Sequence, residues 1–210
     1  MASRLLYVMD PMCSWCWGFA PVAEALAEQA AAAGVSLHVV VGGLRRDQVA
    51  VDAAARVRYL GYWQAVNAST GQLFDFERGL PEGLVYDTEP ACRALVTART
   101  LDGASAWALS RAIQEAFYTR GVDVTQAGTL VQLAEQAGIP RIEFAEAFDS
   151  QAMHDATAAD FSWVQDLGIA GFPTLLAERD GQLALLTNGY QPFETLTPLL
   201  GRWLERAVHA

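Results

Sequence analysis

Cys13 and Cys16 stand inside the run Asp10-Pro11-Met12-Cys13-Ser14-Trp15-Cys16-Trp17. C-x-x-C spacing puts two thiols one helical turn apart, close enough to close a disulfide ring with each other. An apolar run, Leu5-Leu6-Tyr7-Val8-Met9, precedes the pair, and a helical pattern follows from about Ser14 to Ala33. The first thiol therefore falls at a helix start, where free amides and the positive end of the macrodipole stabilise a thiolate. Thiol–disulfide exchange suits this arrangement, with Cys13 attacking and Cys16 resolving the mixed disulfide. The competing use is half of a zinc site. Tetrahedral zinc takes about four ligands, yet there is no second C-x-x-C, and His38, His154 and His209 show no ligand spacing. No metal is expected.

The residues around the pair bear on its chemistry. Ser14 and Trp15 lie between the thiols and tune their redox poise; neither is cationic, so one source of thiolate stabilisation is missing. Asp10 either opposes thiolate formation and relays protons, or simply starts the turn into the helix as the first half of Asp-Pro. Met12, Trp15, Trp17 and Phe172 could form an apolar substrate-binding patch, although Trp17 and Phe19 read more simply as buried helix-face residues. Cys92 has Leu95 and Val96 three and four residues on, which places it on an apolar face as a small buried hydrophobe. A resolving or regulatory thiol is its other reading.

These residues need elements to position them. The 210-residue chain, 52% hydrophobic and 18% charged, can bury a sizeable core. A net charge of −10 argues against a nucleic-acid partner, and no apolar stretch approaches a membrane span. Arg4 to Asp10 reads as a strand, and Val35 to Val41 as a second, ended by Gly42-Gly43; with the helix between them this is a βαβ unit. From about Leu44 to Gln165 the signals are nearly all helical, with Leu73–Tyr86 as a loop and Thr88 capping a helix that Pro90 opens. Strand character returns at Thr174–Glu178 and Gln182–Thr187, joined by Arg179-Asp180-Gly181 as a hairpin, and a helix from Phe193 to Val208 follows. The first strand begins near Arg4, which leaves no room for a signal peptide in this numbering. Three cysteines do not suggest a disulfide-stapled secreted scaffold. A cytoplasmic location is expected.

With these pieces placed, the chain resembles the thioredoxin-fold family, specifically its DsbA-like branch. Three features carry the resemblance: the C-x-x-C at a strand–helix junction, Pro21 eight residues past Cys13, and Gly168-Ile169-Ala170-Gly171-Phe172-Pro173-Thr174-Leu175, which looks like the family's cis-proline loop. The motif from Asp10 to Trp17 is most similar to the cytoplasmic FrnE-type group, a relative of 2-hydroxychromene-2-carboxylate isomerases and kappa-class glutathione transferases. The resemblance implies an α/β fold with a thioredoxin-like mixed sheet, residues 1–43 and 166–210, and a helical insertion, residues 44–165. It implies that Pro173 faces Cys13 and leaves the Phe172 backbone free to pair with an extended substrate by strand addition. It implies a thiol–disulfide oxidoreductase with no bound cofactor, using glutathione or a protein dithiol as electron partner, on polypeptides or small molecules bearing thiols or disulfides. The alternatives are a glutathione-dependent isomerase or transferase acting on an apolar aromatic molecule, and a non-enzymatic binding module. An intact Cys13/Cys16 pair counts against both.

Overall fold

The computed structural model describes residues 3–205. Strand β1 (Ser3–Met9) is central to a four-stranded sheet. Helix α1 (Ser14–Ala31) crosses from it to the parallel strand β2 (Ser36–Val41), which pairs Arg4 with Ser36 through Met9 with Val41. On the other flank of β1 lies β5 (Thr174–Arg179), antiparallel, followed by β6 (Gln182–Asn188), so the sheet order is β2-β1-β5-β6. Asp180 and Gly181 both have positive φ, 51° and 77°, which gives the β5–β6 hairpin the twist its strands require.

Both faces of β1 are covered, which explains why its sequence is an apolar run rather than an alternation. Leu5, Tyr7 and Met9 join the main core with Phe19, Ala23 and Leu26 of α1. Leu6 and Val8 join a smaller one with Val40, Leu176 and Val164. Each buried leucine, valine, methionine or phenylalanine among them contributes about 1.5–3 kcal/mol. A half-exposed ion pair such as Arg141–Glu135 contributes about 0–1 kcal/mol, so the core fixes the frame.

Between β2 and β5 come β3 (Arg46–Ala50), α2 (Ala53–Thr70), β4 (Val85–Asp87), α3 (Glu89–Leu101), α4 (Ser105–Arg120), α5 (Ala127–Gln136), α6 (Arg141–Phe148) and α7 (Gln151–Asp166). Helix α8 (Phe193–Glu205) packs on α1; the expected continuation to Val208 lies outside the described residues. The inserted segment is not purely helical, because β3 and β4 form a two-stranded antiparallel sheet. Arg46-Asp47-Gln48-Val49-Ala50 is almost wholly solvent-facing and carries no apolar alternation to announce it. Only its distant partner makes it a strand, with Arg46 Nε 3.3 Å from the Asp87 carboxylate. Through this pairing β4 delivers Tyr86 and Thr88 to the end of β1, beside the cysteine pair. No helix among the described residues is long and apolar enough to cross a membrane.

Candidate active site

After Met9 the chain turns sharply into α1. The Cys13 amide donates to the Asp10 carbonyl at 3.0 Å, and the Met12 amide donates to Asp10 Oδ1 at 2.8 Å. The second bond is the local turn expected of Asp before Pro. Cys13 is the N-cap, with φ −89° and ψ 118°, and no side chain caps the helix. The first-turn amides, which lack intrahelical acceptors, are thus left beside its thiol. Cys13 keeps 6% of its surface and Cys16 none, so only the first thiol can meet a partner. Both thiols are free. Burial pushes the Cys16 thiol well up, and its hydrogen bond with Cys13, the charge on Cys13 and the charge on Asp10 act the same way.

Cys13 Sγ lies 3.7 Å from the Phe172 carbonyl oxygen, and the Phe172–Pro173 bond is cis. The loop is tied to the end of β6: the Gly189 amide donates to the Pro173 carbonyl at 2.7 Å, and Thr174 Oγ1 is 3.1 Å from Asn188 Oδ1. Pro173 is buried, while Phe172, Ser14 and Trp15 are half-buried. The Trp15 ring sits 6.0 Å from that of Tyr190. Met12 requires a correction. It is fully buried in the main core, and its carbonyl accepts a 2.6 Å hydrogen bond from Tyr86 Oη. It cannot contribute to a substrate-facing patch. Trp17 and Phe19 are buried too.

Asp10 does more than start a turn. Its carboxylate is fully buried and accepts from the Met12 amide, the Leu44 amide at 2.7 Å, Thr88 Oγ1 at 2.6 Å and Cys92 Sγ at 3.3 Å. Burial raises its pKa, and the hydrogen bonds from Thr88, Leu44, Met12 and Cys92 only partly oppose the rise. Thr88 stands at the N-cap of α3 as expected, but it makes no side-chain cap and spends its hydroxyl on Asp10. Cys92 is buried as expected, yet it donates to a carboxylate instead of resting against apolar groups alone. Burial pushes its thiol well up, helped by the charge on Asp10.

Sequence reasoning missed Tyr86, Leu44 and Gly42. The first two act through a hydroxyl and a backbone amide placed by long-range pairing, for which no local signal exists. Gly42, taken only as the end of β2, has a definite role: a Cβ there would overlap the Phe172 ring. Gly42→Ala should therefore displace Phe172 from Cys13 and lower disulfide-exchange turnover by at least about tenfold, since misplacement of about 1 Å can cost a hundredfold. Stopped-flow kinetics on the folded variant check this; wild-type turnover would show that the loop tolerates displacement.

The histidines stand apart. His38 is half-buried on the far face of the sheet, its pKa lowered to about 4 by burial, with the Arg99 and Arg4 charges adding. His154 Nδ1 is 3.3 Å from Glu89, and His209 lies outside the described residues. Among the described residues no cluster of three or more His, Cys, Asp or Glu side chains could hold a metal ion.

With this geometry in view, comparison with known proteins is specific. The DSBA-like thioredoxin domain matches residues 4–201. A candidate protein disulfide isomerase from Nitrosomonas europaea superposes with a TM-score of 0.90 at 40% identity, covering 98% of this chain and 99% of that one. The cytosolic disulfide reductase DsbM from Pseudomonas aeruginosa, in its structure with GSH, gives 0.76 at 28% identity, covering 99% and 100%. A 2-hydroxychromene-2-carboxylate isomerase gives 0.66 at 14% identity over 98% of both chains, a likeness of fold alone. No curated protein sequence matches the chain.

Proposed function

From membership of the DSBA-like thioredoxin domain family, to which this chain belongs, we propose that it is a cytoplasmic thiol–disulfide oxidoreductase cycling through a Cys13–Cys16 disulfide. The observation that carries this reading is the pairing of one reachable thiol at a helix N-cap with one fully buried thiol a turn along the same helix. Cys13, as thiolate, attacks a substrate disulfide; the S–S bond breaks, one sulfur joins Cys13, and the other leaves as a thiolate and takes up a proton. Cys16 then loses its proton, attacks Cys13 and releases the second substrate sulfur, which is protonated in turn. The substrate gains two electrons and two protons, and the protein is left as the disulfide. Glutathione running these steps backwards restores the dithiol.

The 28%-identical cytosolic reductase solved with GSH supports glutathione as the electron partner and a cytoplasmic setting. Phe172 and Pro173, beside Cys13, support a substrate held along the loop, with Trp15 as an apolar neighbour and Ser14 and Asp10 as tuning residues. The isomerase or transferase alternative draws only on likeness of fold.

Insulin reduction with glutathione as reductant should proceed with wild-type protein and be abolished in Cys13→Ser. Equal rates in the two would defeat the reading. Equilibration in glutathione redox buffers then sets direction: a couple well below the cytosolic poise marks a reductase, and one well above it an oxidase or isomerase.

A further inference from the structure

Arg111, Gln114 and Tyr118 of α4 make no hydrogen bond to either thiol or to the Asp10 carboxylate. Spaced three and four residues apart, they share one stripe of the helix. The stripe faces α1. The Tyr118 ring lies nearly parallel to that of Trp17 at 6.0 Å, and the Arg111 guanidinium sits 5.1 Å from the Trp17 ring and 6.0 Å from that of Trp107. Gln114 and Tyr118 are fully buried. Even so, Tyr118 Oη, Gln114 Nε2, Gln114 Oε1 and Arg111 Nη1 have no hydrogen-bond partner among the described residues. Buried polar atoms are rarely left so, and several on one stripe are a mark of ordered water held between them. Their types suit it, because tyrosine and glutamine each donate and accept while arginine donates.

The stripe packs on the helix that carries the resolving thiol. Trp17 is the residue after Cys16. The Tyr7 hydroxyl donates to the Cys16 carbonyl at 3.5 Å, and the Tyr7 ring meets Trp107, the indole near Arg111, at 5.9 Å. Among the influences that raise the Tyr118 hydroxyl pKa, after burial and Tyr86, are the charges of Cys13, Asp10 and Cys16. Cys16 itself has no exposed surface through which to release a proton. Of its polar neighbours, Tyr7 commits its hydroxyl proton to the Cys16 carbonyl and Asp10 already accepts four donors.

We propose that Arg111, Gln114 and Tyr118 hold a short internal chain of water that takes up the Cys16 proton, making them positioning residues for the resolving step. In that step the Cys16 S–H proton passes to the water chain as the Cys13–Cys16 bond forms. The bond from Cys13 to the captured sulfur breaks, and the departing thiolate is protonated from solvent. Arg111 is only half-buried and is the end of the chain nearest the surface.

The inference rests on the thiol–disulfide reading, and one experiment separates the two. Reduced wild-type protein, Gln114→Leu, Tyr118→Phe and the double variant are each mixed with oxidised glutathione. Quench-flow mass analysis then resolves capture at Cys13 from release by Cys16. The variants keep the shape of the side chains and remove the polar atoms. Capture, which the stripe does not serve, should stay within about twofold, while resolution should slow by at least about tenfold at neutral pH. The deficit should narrow as pH rises and the thiol is deprotonated without help. If the double variant does not fold, Tyr118→Phe alone decides, since it deletes a single oxygen. Resolution at the wild-type rate and pH profile in a folded variant overturns the water route and leaves the oxidoreductase reading intact. A wild-type protein inert to oxidised glutathione overturns both.

Discussion

Replacing Cys16 by serine should turn the protein into a trap. The Cys13 thiol would still capture a substrate disulfide, but no neighbouring thiol would release it. Intramolecular attack by a thiol one turn away has the advantage of a well-oriented partner, whose effective concentration reaches on the order of 10⁵ M or more. Millimolar external thiol cannot match this, so turnover should fall by at least about a thousandfold. With oxidised glutathione, intact-protein mass analysis should find one glutathione on Cys16→Ser, none on Cys13→Ser, and an internal disulfide in the wild type. Burial predicts this division of labour, because Cys13 keeps a little exposed surface and Cys16 keeps none. Capture by Cys13→Ser would mean the roles are reversed.

The second large effect belongs to Asp10. Asp10→Ala removes the acceptor for a buried and a part-buried backbone amide, a threonine hydroxyl and a thiol at once. A buried donor left without a partner costs about 1–3 kcal/mol, and the Thr88 hydroxyl retains only long contacts of 3.3 Å, accepting from the Arg45 amide and donating to the Arg45 carbonyl. Destabilisation of about 3–5 kcal/mol is expected by urea unfolding, a large share of the roughly 5–15 kcal/mol typical of a domain. Asp10→Asn keeps the shape and removes the charge, which exposes the pH dependence. The folded carboxyl has the raised pKa, so the native state holds its proton more tightly than the unfolded chain does. That contribution is complete below the unfolded value of about 3.9 and is lost as pH rises through the folded value. Wild-type stability relative to Asp10→Asn should therefore decline across that window. A difference that grew with pH would mean the four donors outweigh burial.

Much of this site was legible in the sequence. Cys13, Cys16 and the Phe172-Pro173 loop announce themselves through residue types that have few other uses in that setting. The strands that carry them are apolar runs bounded by Asp-Pro, Gly-Gly and Asp-Gly. The helices of the insertion follow the same logic, with Pro90 opening α3 and Gly121 closing α4 in a left-handed conformation. Features that escaped depend on contacts between distant segments. Thr88 has the sequence of a cap and the role of a carboxylate donor, because β4 pairs with β3 and swings it over the end of β1. Met12 looks like a member of an exposed apolar cluster and is interior, because the whole turn from Asp10 to Cys13 is covered by distant segments such as the one bearing Tyr86. Gly42 reads as punctuation and is the floor beneath an aromatic ring.

The contact between Cys13 and Phe172 spans 159 positions along the chain. A ribosome adding about 5–20 residues per second needs roughly 8–30 s to travel that far. Once Cys13 has cleared the exit tunnel, its thiol is uncovered while half of its pocket has yet to be synthesised. β1 is in the same position, with its β2 edge paired early and its β5 edge open until the last quarter of the polypeptide emerges. Newly made molecules thus pass through a stage with an uncovered strand edge and an unguarded sulfur. A pool of reduced small thiols would shield that sulfur during synthesis and, on the function proposed above, would also recharge the finished protein.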